Sequence, residues 1–146
     1  YWWNGAAVLD AGSGAGLPGI PLALVRPDLS VTLVEPLLRR ATALTEVCGA
    51  LSRSGLDVRR ARIEELPRAS TEVIVARAVA PLGRLVTWTL PRLVDGGDIV
   101  LMDTAPDLGY YTSDIGRMWP VNGRYSPLQR ELYGFIVEYH KVLLRL

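Results

Sequence analysis

The chain has 146 residues, 49% of them hydrophobic, and its 16 basic and 15 acidic residues leave a net charge of +1. That length allows one core and little more, the near-even charge excludes a strongly basic nucleic-acid coat, and no apolar run approaches the about 18 residues of a membrane span. The single cysteine, Cys48, excludes an internal disulfide and fits a reducing compartment. With no basic-then-apolar leader at its start, the chain reads as one cytoplasmic, monomeric domain over residues 1–146.

In chain order, Tyr1 to Gly5 is aromatic and polar, and Trp2 and Trp3 are expected to pack into the core, with capping of the bottom of a sheet or docking of a further segment as the alternatives. The first strand begins at about Ala6 and ends in Asp10-Ala11. A loop with glycines at 12, 14, 16 and 19 follows, then a short helix that stops before Pro27, then a second strand, Val31 to Glu35, tipped by its acid. Leu37 to Ser54 repeats apolar residues at spacings of three and four (Leu37, Ala41, Leu44, Val47, Cys48, Leu51), which predicts a helix ended by Gly55. Leu56 to Ala61 is a third strand, and Arg62 to Leu66 a loop or turn. Glu72 to Ala76 is a fourth strand with Arg77 at its carboxyl end. Leu82 to Leu93 predicts a helix interrupted by Pro91, and Asp98 to Met102 a fifth strand followed by Asp103. From Thr104 to Pro127 prolines and glycines break every pattern, and no element is read there. Leu132 to Tyr139 and Lys141 to Leu146 are predicted as two late strands in a hairpin around His140. The expected architecture is a doubly wound, Rossmann-like α/β sheet with antiparallel C-terminal edge strands.

In an open α/β sheet a ligand sits outside the carboxyl ends of the strands, here where the glycine loop meets Glu35. Two glycine registers compete. Gly14-x-Gly16-x-x-Gly19 has the spacing of a dinucleotide fingerprint, so a nicotinamide-dependent oxidoreductase must be weighed. Gly12-x-Gly14-x-Gly16 instead follows Asp10 closely, and a carboxylate there suits a ligand ammonium and repels a pyrophosphate. Pro18 and Pro21 also remove backbone donors that a phosphate would use. Glu35 lies 19 residues after Gly16, the spacing at which an acid accepts both hydroxyls of a ribose. An ammonium, an adenosine ribose and no phosphate describe S-adenosylmethionine.

The run Val8-Leu9-Asp10-Ala11-Gly12-Ser13-Gly14-Ala15-Gly16-Leu17-Pro18-Gly19-Ile20-Pro21, with Arg26-Pro27-Asp28 and Thr32-Leu33-Val34-Glu35-Pro36, resembles the RsmG (GidB) family of 16S ribosomal RNA methyltransferases. Arg62-Ile63-Glu64-Glu65-Leu66 and Ala76-Arg77-Ala78-Val79-Ala80-Pro81-Leu82 resemble two further segments of that family, and the likeness runs from about Val8 to Met102. It implies a class I fold and methyl transfer from S-adenosylmethionine to N7 of a guanosine in 16S rRNA, with the small ribosomal subunit as partner. It further implies that Asp10, Gly12, Ser13, Gly14, Gly16 and Leu17 line the cofactor, that Glu35 and Pro36 hold its ribose, that Ile63 and Glu64 frame its adenine, and that Arg77 faces the transfer site. No metal is implied. Two departures stand out. The family carries a helical segment before the first strand that is not in this sequence, and Asp103-Thr104 replaces a usual Lys-Gly, which exchanges a phosphate contact for an anion. A diverged, non-catalytic cofactor-binding module is therefore the main alternative.

Overall fold

The computed structural model describes residues 3–95, 99–104, 107–108, 111–112, 115–119, 123–143 and 145. Its main sheet is built from β1 (Ala7–Ala11), β2 (Ser30–Val34), β3 (Leu56–Arg59), β4 (Val73–Arg77), β5 (Ile99–Thr104) and β8 (Ile115–Trp119). The spatial order is β3-β2-β1-β4-β5-β8, and the first five strands are parallel. The order reverses direction at β1, so the crevice at a topological switch point falls beside the loop that leaves β1. Two-residue strands β6 (Asp107–Leu108) and β7 (Tyr111–Thr112) pair with each other outside this sheet.

Strands buried on both faces read as nearly continuous apolar runs, as Val73-Ile74-Val75-Ala76 does in β4. On one face Val8, Val31, Leu33, Val73 and Val75 share a core with Ala23 of α1 (Gly19–Val25) and Leu44 of α2 (Leu38–Leu51); Trp3 packs at its margin as core packing predicts, and Trp2 lies outside the described residues. On the other face Leu9, Ala11, Val34, Ile74 and Ala76 pack with Leu85 of α3 (Leu82–Thr89) and with Ile63 and Leu66 around the 3-10 turn Ile63–Glu65. Pro91 ends α3 and the chain continues in the 3-10 turn Leu90–Arg92, the interruption that the sequence predicts.

Two predictions fail past β5. The stretch read as patternless contains β8, which runs antiparallel to β5 from Val100↔Trp119 to Thr104↔Ile115. Its identity as a strand comes from its partner more than from its own alternation. The predicted hairpin of Leu132–Tyr139 and Lys141–Leu146 is instead covered from its start to Leu143 by α4 (Pro127–Leu143), with His140 inside the helix. Tyr133, Phe135, Ile136, Val137 and Tyr139 favour strands by type, but apolar residues at 132, 135, 136, 139 and 142 keep the helical period. Pro127 also stands at the first helical position after Ser126, where proline favours a helix start. No helix of the described residues is long and apolar enough to cross a membrane.

Candidate cofactor and transfer site

Alternation along the strands sets which way the polar residues at their ends face. Val8 of β1, Leu33 of β2 and Val75 of β4 all point into the α1/α2 core. Two residues on, Asp10, Glu35 and Arg77 continue that same face at the carboxyl edge. Asp10 has no solvent exposure. Its Oδ2 accepts from the Gly19 N–H at 3.1 Å, while Oδ1 is buried without a hydrogen-bond partner. Burial pushes the Asp10 carboxyl up to about 6, against the pull of the Gly19 N–H and the Arg77 charge. Gly19 makes this approach possible: a Cβ there would stand 2.6 Å from Asp10 Oδ2 and 2.3 Å from Leu33 Cδ2.

Ser13 stitches the loop down by donating its hydroxyl to the Asp10 carbonyl at 2.9 Å and its N–H to the Val34 carbonyl at 3.0 Å. Glu35 is only 3% exposed, and its two oxygens are divided between two chain segments. Oε2 accepts from the Gly14 N–H at 3.0 Å, and Oε1 from the Leu37 N–H at 2.9 Å, at the entry to α2. An anion at a helix N-terminus is well placed electrostatically. Each carboxylate oxygen keeps a second lone pair with which to accept a ligand hydroxyl.

Asp10, Gly12, Ser13, Gly14, Gly16, Glu35 and Arg77 are thus brought to one end of three adjacent strands. Leu17, Pro36 and Glu64 stand exposed on the loops around them. Ile63 is placed differently from a residue lying open to an adenine: it is buried in the α3-side core beside Ala11, Val34 and Ala76. The turn that carries it is held by Glu65, which accepts from the Arg62 N–H at 2.9 Å, and by the buried Arg92 guanidinium, which donates to the Glu64 carbonyl. Among the described residues Arg77 forms no ion pair, and its backbone is in register with Asp103 of β5. Those residues also contain no cluster of His, Cys, Asp or Glu suited to a metal.

The segment after Arg77 holds two residues that sequence reasoning did not single out. Ala78 has φ +51°, a left-handed conformation that costs an L-residue about 1–2 kcal/mol. The turn directs Val79 onto the glycine loop, where a Cβ on Gly12 would lie 2.8 Å from Val79 Cγ2. A strained residue beside a candidate site points to a geometry held for function, and an alanine in place of the expected glycine hides the turn from sequence reading. Ala78→Gly is expected to raise the denaturation midpoint, by about 1 kcal/mol in stability. Urea unfolding of the two proteins side by side checks it.

Residues 2–108 match the family described as GidB, rRNA small subunit methyltransferase G. The chain is similar to ribosomal RNA small subunit methyltransferase G of Corynebacterium glutamicum strain R, with 52% identity over 103 residues covering 68% of this chain and 46% of that protein. The protein of the same name from Streptomyces coelicolor is 52% identical over 108 residues, 71% of this chain and 45% of its own length. The chain therefore spans under half the length of these curated relatives. Among solved structures, Pyrococcus horikoshii TYW2 in complex with MeSAdo superposes with a TM-score of 0.63 at 16% identity, covering 69% of this chain and 38% of that one. Coclaurine N-methyltransferase bound to N-methylheliamine and SAH gives 0.60 at 18% identity, over 70% of this chain and 32% of that one. At such identities the likeness concerns the fold, an α/β methyltransferase sheet.

Proposed function

The chain belongs to the GidB family of rRNA small subunit methyltransferases, and on that premise we propose that residues 1–146 form one S-adenosylmethionine-dependent domain acting on guanine N7 in 16S rRNA. The observation that carries the reading is the unpartnered, fully buried Asp10 Oδ1 beside the glycine loop. Leaving such an acceptor unsatisfied costs about 1–3 kcal/mol, and more when it is charged, and a ligand ammonium removes that cost. A pyrophosphate in the same place would add a second negative charge, which disfavours a nicotinamide cofactor.

The residues fit the cofactor as a set. Asp10 takes the ammonium, Glu35 the ribose hydroxyls with its free lone pairs, and the backbone of Gly12, Ser13, Gly14 and Gly16 the space between. Leu17 and Pro36 border the ribose, and Glu64 and the backbone of Ile63 the adenine, the Ile63 side chain staying in the α3-side core. When bound, the cofactor supplies an electrophilic sulfonium methyl. Guanine N7 carries an in-plane lone pair and no proton, so the protein needs no general base, and the work left to it is alignment, which contributes about 7–11 kcal/mol in well-oriented reactions. Arg77, at the open end of β4, donates to guanine O6 and leaves N7 free. The protein acts as a cytoplasmic monomer without a membrane contact, and its partner is the small ribosomal subunit.

Methyl transfer from isotope-labelled S-adenosylmethionine to small subunits tests this. Arg77→Ala is expected to lower the rate about 100-fold or more while S-adenosylhomocysteine binds as before. Unchanged turnover removes Arg77 from the site, and failure of the unmodified chain to bind S-adenosylhomocysteine removes the whole reading.

A further inference from the structure

The carboxyl edge of the sheet carries a second set of residues that the transfer chemistry leaves unused. Arg39 and Arg40 lie in the first turn of α2, and Arg60 and Arg62 in the segment leaving β3. All four are exposed. The Glu35 N–H donates to the Arg59 carbonyl at 3.1 Å, which sets the start of α2 beside the exit of β3. Three carboxylates near this edge are already engaged. Both oxygens of Glu35 hold backbone N–H groups, Glu65 accepts from the Arg62 N–H, and Asp57 faces Arg59 at 3.4 Å. Among the described residues the four guanidinium groups take part in no ion pair.

Concentrating unpaired positive charge at one edge costs stability through self-repulsion, and in a chain of net charge +1 the concentration is local. Guanidinium forks match phosphate oxygens two at a time, and the exposed Leu37 and Leu38 beside Arg39 and Arg40 offer apolar surface to nucleobases. We infer that Arg39, Arg40, Arg60 and Arg62 form a phosphate-binding arc that holds an RNA strand on the β3 side of the cofactor crevice, across from Arg77. The inference deepens the methyltransferase reading and rests on it for the direction of the strand. From β3 to β4 is three strand steps, about 15 Å at 4.8 Å each, a distance that a few nucleotides of a single strand span. One strand can therefore lie on the arc and still present a base at Arg77.

The test is binding of the full chain to a labelled single-stranded 16S rRNA fragment over a series of salt concentrations, with the variants R39Q/R40Q and R60Q/R62Q beside the parent. Each single-strand phosphate contact contributes about 0.7 to the slope of log affinity against log salt, so each double variant is expected to lower the slope by about 1.4. S-adenosylhomocysteine affinity of R39Q/R40Q is expected to match the parent, which shows that the fold is intact. Unchanged slopes overturn the arc, as does a parallel loss of S-adenosylhomocysteine binding by R39Q/R40Q. Loss of binding to intact small subunits with naked rRNA binding unaffected also overturns it, in favour of a ribosomal-protein contact. If the parent binds RNA through these arginines and no S-adenosylhomocysteine, the arc stands and the methyltransferase reading falls.

Discussion

Between pH 7 and pH 5 the affinity for S-adenosylhomocysteine is expected to fall about tenfold, and Asp10→Asn is expected to abolish that dependence while weakening binding at pH 7. The cause is the environment of one carboxyl. Burial pushes Asp10 up to about 6, whereas an ammonium on its Oδ1 favours the ionised form. Below that value binding must first expel a proton, which costs a factor of ten per pH unit until the complex itself takes one up. The ligand amine stays protonated through the same range. Isothermal titration in buffers of different ionisation enthalpy reads both the affinity and the proton released. An affinity flat from pH 7 to 5, or a pH dependence that survives in the asparagine variant, contradicts the assignment.

The same group has an inverse effect on stability. Its folded value lies above the model-peptide value of 3.8, so the folded state binds the proton more tightly than the unfolded chain. The ionised carboxylate therefore costs stability above about pH 6, by about 3 kcal/mol, and the cost disappears as pH falls toward 3.8. Asp10→Asn is thus expected to melt higher than the parent at pH 7 and bind the cofactor less well. A residue serving only the fold would move both quantities in the same direction.

Glu35 is the second large effect. Its carboxylate satisfies the N–H groups of Gly14 and Leu37 and so ties the glycine loop to the entry of α2. Hydrogen bonds to a charged group contribute about 1.5–3 kcal/mol each. Glutamine can accept one of them and turns an N–H against the other. Glu35→Gln is expected to cost about 2–3 kcal/mol in stability and to weaken S-adenosylhomocysteine binding 10- to 100-fold. Loop damage and lost ribose contacts are separated by a 2′-deoxyribose analogue of the ligand. The parent is expected to bind it about 100-fold less well than S-adenosylhomocysteine, and Glu35→Gln to discriminate far less, the signature of coupled groups. Equal discrimination by both proteins confines Glu35 to a structural role.

Much of this site was legible because strands carry a period of two. Once Val8, Leu33 and Val75 are core residues of parallel strands, Asp10, Glu35 and Arg77 follow on the same face. The interruption at Pro91 and the turn after β3 were legible for similarly local reasons. What stayed hidden depends on partners distant in sequence. Whether Glu35 was free or already holding Gly14 is invisible in a string of letters, and so is the covering of Gly12 by Val79 across the crevice. Ile63, expected at the adenine, is claimed by the α3-side core. Past β5 the errors came from residue type overriding period: β-branched and aromatic residues in α4 read as strands, and β8 went unrecognised because β5 supplies its reason to be extended.

The most direct measurement is a crystal structure of the chain soaked with S-adenosylhomocysteine. The ligand is expected on the Gly12 to Gly16 loop, with its amine within hydrogen-bond distance of Asp10 Oδ1 and its ribose hydroxyls on Glu35. Density for the ligand anywhere else, or an amine turned away from Asp10, contradicts the claim that the buried Oδ1 of this carboxylate is kept unpaired for a cofactor.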